Sequence, residues 1–588
     1  MFPFCRRHTV LAHAVGRSSW IFIALLLVGC GSGNSSAPPP SVAATGTPGA
    51  QADVGERLFV ETRFAQFFKA HLPPGGNVND PLPVGDPVVA KVLLPGGNPS
   101  GVASPFAGMS MNCRSCHFVD EFVGISGGGM RTYTDFASRS PIPSRPDGKL
   151  MAPRNSPPLV NASLARPGGT LFHFDGEFST LEDLIVGTFT GRNFGWLPGQ
   201  KAEAIHHIAQ VMRNDDGSGD IAQQFDGLSY RVLFTGADPS IPDELRLPPE
   251  FRVFIASASD QEIFNAVVKV VAAYVNGLLF SQSDDAGNLI RSPFNVFLSR
   301  NGLPHQPTSG ETPLDYSRRL LTLVNGLVSP QFVTSNPNRG NGLFQFHTQP
   351  FVFGATELAG LKIFLAEPAT PPTASLPEVA AGAIGNCLAC HAAPNFTDFK
   401  LHNTGVTQRE YDDPSVGAGH AAGSFAALPI PHLILTPVRT ANDLPATELH
   451  PGASERFRSI PTAGTTLTDL GLWNIFANPD MPNPQEKIKT ILCDDQVPCT
   501  LSDADLLDRA IARFKTPGLR DLSHSAPYMH NGQFATLTDI INFYIDASNL
   551  ARAGTLRNGA VQLQGIALAT GDVAALVAFL KSLNEDYQ

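Results

Sequence analysis

The chain has 588 residues, 43% of them hydrophobic, with 54 Gly, 50 Pro and a formal net charge of −11. That length is enough for two or more domains with cores of their own. The acidic balance excludes a nucleic-acid partner held by charge, and so much Gly and Pro points to modest helices joined by many turns.

Arg6 and Arg7 followed by the apolar run Ile21 to Val28 give residues 1–29 the pattern of a signal peptide. The run from Ser18 to Gly29 is shorter than the roughly 20 residues of a membrane-spanning helix. Leu27-Val28-Gly29-Cys30 resembles a bacterial lipobox, so Cys30 is expected to carry lipid and to tether a soluble body to a membrane face in the cell envelope or periplasm. Residues 30–53, rich in Gly, Ser, Ala and Pro, suit a flexible tether.

Two copies of Cys-X-X-Cys-His follow, Cys113-Arg-Ser-Cys116-His117 and Cys387-Leu-Ala-Cys390-His391. This is the attachment signature of c-type haem: two thiols form thioethers to the vinyl groups and the adjacent imidazole meets the iron. A redox or zinc Cys-X-X-Cys pair is the alternative, which two full copies in an exported chain make the weaker one. Cys493 and Cys499, separated by five residues, are left for a small disulfide loop.

Phe174-Asp-Gly-Glu-Phe-Ser-Thr-Leu-Glu-Asp-Leu-Ile185 is echoed by His530-Asn-Gly-Gln-Phe-Ala-Thr-Leu-Thr-Asp-Ile-Ile541. Each copy predicts a turn on Gly176 or Gly532, then a helix capped by Thr180 or Thr536 with an acid in its first turn. Apolar-periodic helices, Ile263 to Leu279 and Val573 to Leu583, close the two halves. The expected fold is mainly α, with two duplicated cytochrome c-like haem domains over 54–283 and 284–588 and long loop-rich insertions. The stretches 284–350 and 407–500 are the excursions. They suit a substrate mouth, dimer contacts or surface elaboration.

These motifs resemble the bacterial di-haem cytochrome c peroxidase and MauG family. The resemblance extends to Arg154-Asn155-Ser156-Pro157, to Asn395-Phe-Thr-Asp398 leading to His402-Asn403-Thr404-Gly405, and to Thr516-Pro-Gly-Leu-Arg520 running into Ala526-Pro-Tyr-Met-His530-Asn-Gly532. It implies two covalently attached haems c with a calcium ion between them. The calcium would be held by the Asn155 side chain and the Ser525 and Pro527 carbonyls, oxygen donors that suit a hard cation. A turn-forming role is the other reading of Asn155.

The resemblance also separates the two irons. His117 and His391 are the proximal ligands. Family peroxidases carry Met fourteen positions after the His of the Tyr-X-His segment, where this chain has Tyr544, as MauG-like members do. A phenolate there stabilises oxidised iron; packing on an amphipathic helix is the alternative, and Met529 is a rival ligand. His530 and His402 are expected beside haem two rather than on its iron. Near haem one, residues 118–172 contain no His, so the iron is expected to be open. His173 is the first His to follow and is either a distal group or a structural one. Phe174 replaces the family's inter-haem Trp, leaving Trp196 and Trp473 as the Trp residues beyond the leader. The usual distal Glu aligns near Arg192, which could polarise a peroxide bond or pair with a propionate. Asp175 and Glu177 are the candidate acids.

The expected activity is that of a peroxide-dependent oxidoreductase. High-valent iron would form at haem one, with haem two relaying or storing electrons. Its partners would be hydrogen peroxide and a small redox protein or an oxidisable protein or organic substrate, with the membrane met only through the lipid. A di-haem dioxygenase of the rubber-oxygenase type, using O2, and a pure electron-transfer cytochrome are the rivals.

Overall fold

Helices carry the architecture and the strands are vestigial. In this computed structural model the described residues are 49–87, 89, 109–117, 152–164, 169–279, 292–334, 349–413, 419–428, 430, 444–453, 455–458, 468–493, 498–522 and 525–584. The expected signal peptide, Cys30 and the tether up to residue 48 lie outside them. No helix among the described residues is long and apolar enough to cross a membrane.

Helix α1 (Ala50–Phe59) begins four residues before the end of the stretch read as tether, and buries Ala50, Ala52, Val54 and Leu58. It packs along α4 (Asp260–Gly277), with α2 (Leu181–Phe189) and α3 (Lys201–Asn214) against the same helix. The α4 helix starts at a capping box between Ser259 and Glu262. It then buries Ile263, Phe264, Val267, Val268, Val270 and Val271, the spacing of one helical face. Gly55 sits where the two helices cross. A Cβ there would stand 2.5 Å from the Val270 carbonyl oxygen and 2.7 Å from the Tyr274 Cβ, so only glycine permits this approach.

Further along come α5 (Pro293–Arg300), α6 (Pro313–Asn325), α7 (Ala355–Leu365), α8 (Pro482–Leu492), α9 (Asp503–Ala510), α10 (Leu537–Arg552) and α11 (Val573–Lys581). Helices α5, α6, α7 and α11 share a second apolar core. The 284–350 excursion is therefore partly core, since Phe294, Phe297, Tyr316, Leu320 and Val324 are buried in it. Gly360 of α7 meets α11 as Gly55 meets α4: a Cβ at 360 would lie 1.9 Å from the Ala575 carbonyl oxygen and 2.8 Å from the Phe579 Cβ. Gly360, Ala575 and Phe579 follow Gly55, Val270 and Tyr274 at one constant offset.

The 407–500 excursion builds most of a third core, with Phe457, Leu470, Trp473, Ile475, Ile488 and Leu492 buried beside α9 residues Leu506 and Leu507. Burying a large apolar side chain is worth roughly 1.5–3 kcal/mol, so the described residues of this segment form a packed lobe. The Cys493–Cys499 disulfide, with its Cα atoms 5.7 Å apart, closes the end of α8. The sheet is two residues deep: β1 (Leu401–His402) pairs antiparallel with β2 (Phe514–Lys515), His402 opposite Phe514.

The internal echo is structural as well as sequential. Phe172 bridges Phe178 and Tyr528 bridges Phe534. Gly176 and Gly532 take φ of 74° and 65° in the turns. The Thr180 hydroxyl accepts the Asp183 N–H at 3.0 Å, and the Thr536 hydroxyl accepts that of Asp539 at 3.1 Å. His173 and Met529, at equivalent positions, are both left-handed.

Candidate active site

Both Cys-X-X-Cys-His segments wind into the same 3₁₀ turn. The His117 N–H donates to the Cys113 carbonyl at 3.0 Å and the His391 N–H to that of Cys387 at 2.7 Å. The turn puts the two thiols on one side with the imidazole following. In the first copy Asn112 caps it, its side chain accepting the Ser115 N–H at 2.8 Å. All four cysteines are free of disulfides, as thioether formation requires.

Cys113, Cys116 and His117 open into one cavity, with about 1140 Å³ of empty space including its mouth. Phe59, Leu181, Ile185, Phe189, Val271 and Val275 make its wall apolar. Burial pushes the His117 imidazole down to about 4; the His173 charge adds to this and the Pro157 carbonyl opposes it. The ring is therefore neutral near pH 7, the form that binds iron. The free thiol pair, the neutral imidazole and the apolar walls fit a covalently held haem.

The cavity's polar side gathers His173, Arg154, Arg192 and Arg458. His173 Nδ1 lies 2.9 Å from a Glu177 carboxylate oxygen. Arg458 donates through Nη1 to the other Glu177 oxygen at 3.1 Å and through Nη2 to the first. Burial pushes Glu177 up, but the Arg458 charge and then His173 more than reverse this, holding it well below the usual carboxylate range. Arg154 forms a fork on Asp469, Nε to Oδ2 at 2.7 Å and Nη2 to Oδ1 at 2.9 Å. It also pairs with Asp175 at 2.5 Å. Arg192, in the turn after α2, lies 4.0 Å from Glu455. Of the expected candidates, His173 and Arg192 line the cavity and Glu177 bonds His173, while Asp175 is committed to the arginines.

Around the second motif, His391 Nδ1 sits 2.8 Å from the Phe396 carbonyl oxygen. That contact fixes the tautomer with Nε2 available to a metal. Burial holds this ring below its ordinary value. Tyr544 packs with Met529, Phe534 and Phe543. Burial and then the Cys390 and Cys387 charges raise its phenol above its ordinary value. His402 Nε2 lies 2.7 Å from Asp398. Burial pulls His402 down, but Cys390 and Asp398 outweigh it, leaving the ring raised to about 10. A thioether at Cys390 removes that cysteine's share. His530 stacks on Phe514 with ring centroids 3.5 Å apart and 9° between planes.

No family model matches the chain. Over 200 residues, 34% of this chain and 36% of the relative, it is 26% identical to cytochrome-c peroxidase IdrP2 of Denitromonas iodatirespirans, and equally to IdrP2 of Pseudomonas sp. (strain SCT). Over 74 residues, 13% of this chain and 18% of the relative, it is 36% identical to cytochrome-c peroxidase IdrP1 of Denitromonas iodatirespirans. The chain thus spans just over a third of the length of the IdrP2 relatives it matches. These matches join two complete haem-attachment turns. At family level, the chain resembles di-haem cytochrome c peroxidase/MauG-like proteins. Among solved structures, it is similar to a MauG-like protein associated with microbial copper homeostasis, with 15% identity, 93% of each chain covered and a TM-score of 0.39. It is also similar to the diheme peroxidase BthA of Burkholderia thailandensis, with 15% identity, 91% and 86% covered and a TM-score of 0.38.

The residues expected to hold calcium are partly assembled. The Asn155 side-chain amide donates to the Pro527 carbonyl, and the Asn155 N–H to the His530 carbonyl at 2.6 Å. The Asn155 oxygen accepts the Ser156 N–H at 3.0 Å instead. A cation on these donors therefore needs the Asn155 amide turned over. Ser525 is held by its N–H on the Leu522 carbonyl at 3.1 Å. Sequence reasoning missed Arg458 and Asp469. Both come from the excursion, far from either haem motif, and no spacing rule points to them.

Proposed function

We propose that this protein is a peroxide-dependent di-haem oxidoreductase, lipid-anchored through Cys30 and facing the periplasm, built from cytochrome c-like domains over 54–283 and 284–588. Its reductant would be a small redox protein or an oxidisable protein or organic molecule, and calcium would join Asn155, Ser525 and Pro527. The reading rests on one observation: the Cys113–His117 turn shares its cavity with Arg192 and with His173, whose Nδ1 stands 2.9 Å from Glu177.

Haem c bound at Cys113 and Cys116, with His117 on its iron, would supply the redox chemistry of O–O cleavage. The chain supplies the proton handling. Anionic Glu177 holds the Nδ1–H tautomer of His173, so Nε2 is the basic atom. His173 would accept the peroxide proton at Nε2 and return it to the departing oxygen. Arg192 would stabilise the negative charge growing on that oxygen. At the second site His391 and Tyr544 would hold the haem iron, His391 through Nε2 and Tyr544 as a phenolate that has given up the proton burial otherwise retains.

Stoichiometric peroxide added to the purified di-ferric holoprotein tests this. Spectral oxidation of both haems in one turnover is expected. Inertness to peroxide, together with an oxygen adduct of the reduced protein that consumes an apolar substrate, would establish the dioxygenase reading instead.

A further inference from the structure

Arg458 comes from the third-core lobe, yet it lines the haem-one cavity and its side chain is only 3% exposed. The lobe holds it rigidly. The neighbouring Phe457 is buried in the third core and packs edge-on against Trp473 at 5.1 Å. The Phe457 carbonyl accepts both the Leu470 N–H at 2.9 Å and the Asn474 side-chain amide at 2.7 Å. The Arg458 N–H closes a turn on the Glu455 carbonyl at 3.0 Å. From this anchored turn the guanidinium reaches both oxygens of Glu177, and one of those oxygens also meets His173 Nδ1. Its Nη2 stands 3.4 Å from Asp175 as well.

A carboxylate held only by an imidazole can rotate, taking the imidazole with it. A planar fork on both of its oxygens removes that freedom. We propose that Arg458 is a positioning residue for the Glu177–His173 pair, so that the lobe inserted at 407–500 completes the proton-handling side of the haem-one cavity. The proposal rests on the reading of His173 as the proton acceptor there.

Cyanide association with the ferric holoprotein reports on such a group without turnover. Hydrogen cyanide breaks its H–C bond as it binds; the proton passes to His173 Nε2 and the carbon keeps the electron pair that it gives to iron. His173→Gln is expected to slow association at haem one by about a hundredfold, the lower end of acid–base contributions. Arg458→Met should slow it by about tenfold, through lost orientation of the same group. The two together should be no slower than His173→Gln alone, because they act through one atom. Arg458→Lys keeps the buried charge but not the fork, and should fold and fall between Arg458→Met and the native protein. Native association rates in both Arg458 variants, with His173→Gln slowed, would overturn the proposal and leave the peroxidase reading standing. So would additive losses in the double variant. A native rate in His173→Gln would overturn the underlying reading of His173 itself.

Discussion

Gly360→Ala is the sharpest test of how the second core is built. A methyl group at this position would stand 1.9 Å from the Ala575 carbonyl oxygen, 2.6 Å from its carbon and 2.8 Å from the Phe579 Cβ. Two of these three atoms are backbone, so no rotamer change relieves the clash. Carbon contacts are optimal near 3.5–4.0 Å, so α7 and α11 must move apart by about 1.5 Å. Forcing one extra methyl into a packed contact costs about 1–3 kcal/mol. The better helix propensity of Ala returns about 1 kcal/mol. At a 1.9 Å approach the upper end of the packing cost applies, so the expected net loss is about 2 kcal/mol, or a fall in Tm of no more than roughly 4–8 °C. Gly277→Ala is the control: it lies in the last turn of α4 with nothing within 4 Å of the added carbon, and should be neutral or slightly stabilising. Calorimetry of the holoproteins measures both. A Gly360→Ala protein as stable as the native one would refute the close-crossing argument, and so would equal losses in the two variants.

Three further outcomes are expected. Tyr544→Phe should change the absorption and EPR spectra of haem two while leaving haem one untouched; unchanged spectra mean that Tyr544 is only packing. His207 is buried, with Nε2 2.7 Å from the Arg63 carbonyl oxygen, and burial pushes it from 6.5 down to about 4. The unfolded chain therefore takes up a proton as pH falls through 6.5, while the folded protein does so only near 4. Stability should accordingly fall with pH across that window by up to about 3 kcal/mol, and His207→Phe should flatten the urea-midpoint profile. Chelation of calcium should lower the Tm of the native holoprotein but not of Asn155→Ala; equal responses would remove Asn155 from the cation site.

Local signals carried much of this molecule into the sequence. The haem motifs, the Thr180 and Thr536 caps and the Gly176 and Gly532 turns are short-range features, set by one side chain and its neighbours within a few positions. The Gly55 and Gly360 crossings were not legible, because a helix interior glycine acquires its meaning only from a partner helix more than 200 residues away in sequence. Nor was the third core. Pro, Asn, Gly and Thr are frequent across 407–500, and this masks the dispersed apolar residues that tertiary packing collects around Trp473. The same blindness hid Arg458 and Asp469, whose partners Glu177 and Arg154 lie some 300 residues away.

Those two ion pairs are exchanged reciprocally. The N-terminal half gives the cation Arg154 and takes the lobe's Asp469; the lobe gives the cation Arg458 and takes Glu177. Buried pairs of this kind contribute little net stability when intact, because desolvation offsets attraction, but removing one partner costs about 3–5 kcal/mol. Lifting the lobe from the cavity would break both pairs at once and leave Arg154 without Asp469 and Glu177 without Arg458. Asp175 alone, between Arg154 and Arg458, does not compensate for that. The arrangement therefore acts less as glue than as registration. In the seating observed, the carboxylate that meets His173 is gripped on both oxygens. Of the readings the sequence leaves open for this insertion, the structure favours the one nearest a mouth, since its Arg458 lines the cavity of the Cys113–His117 turn.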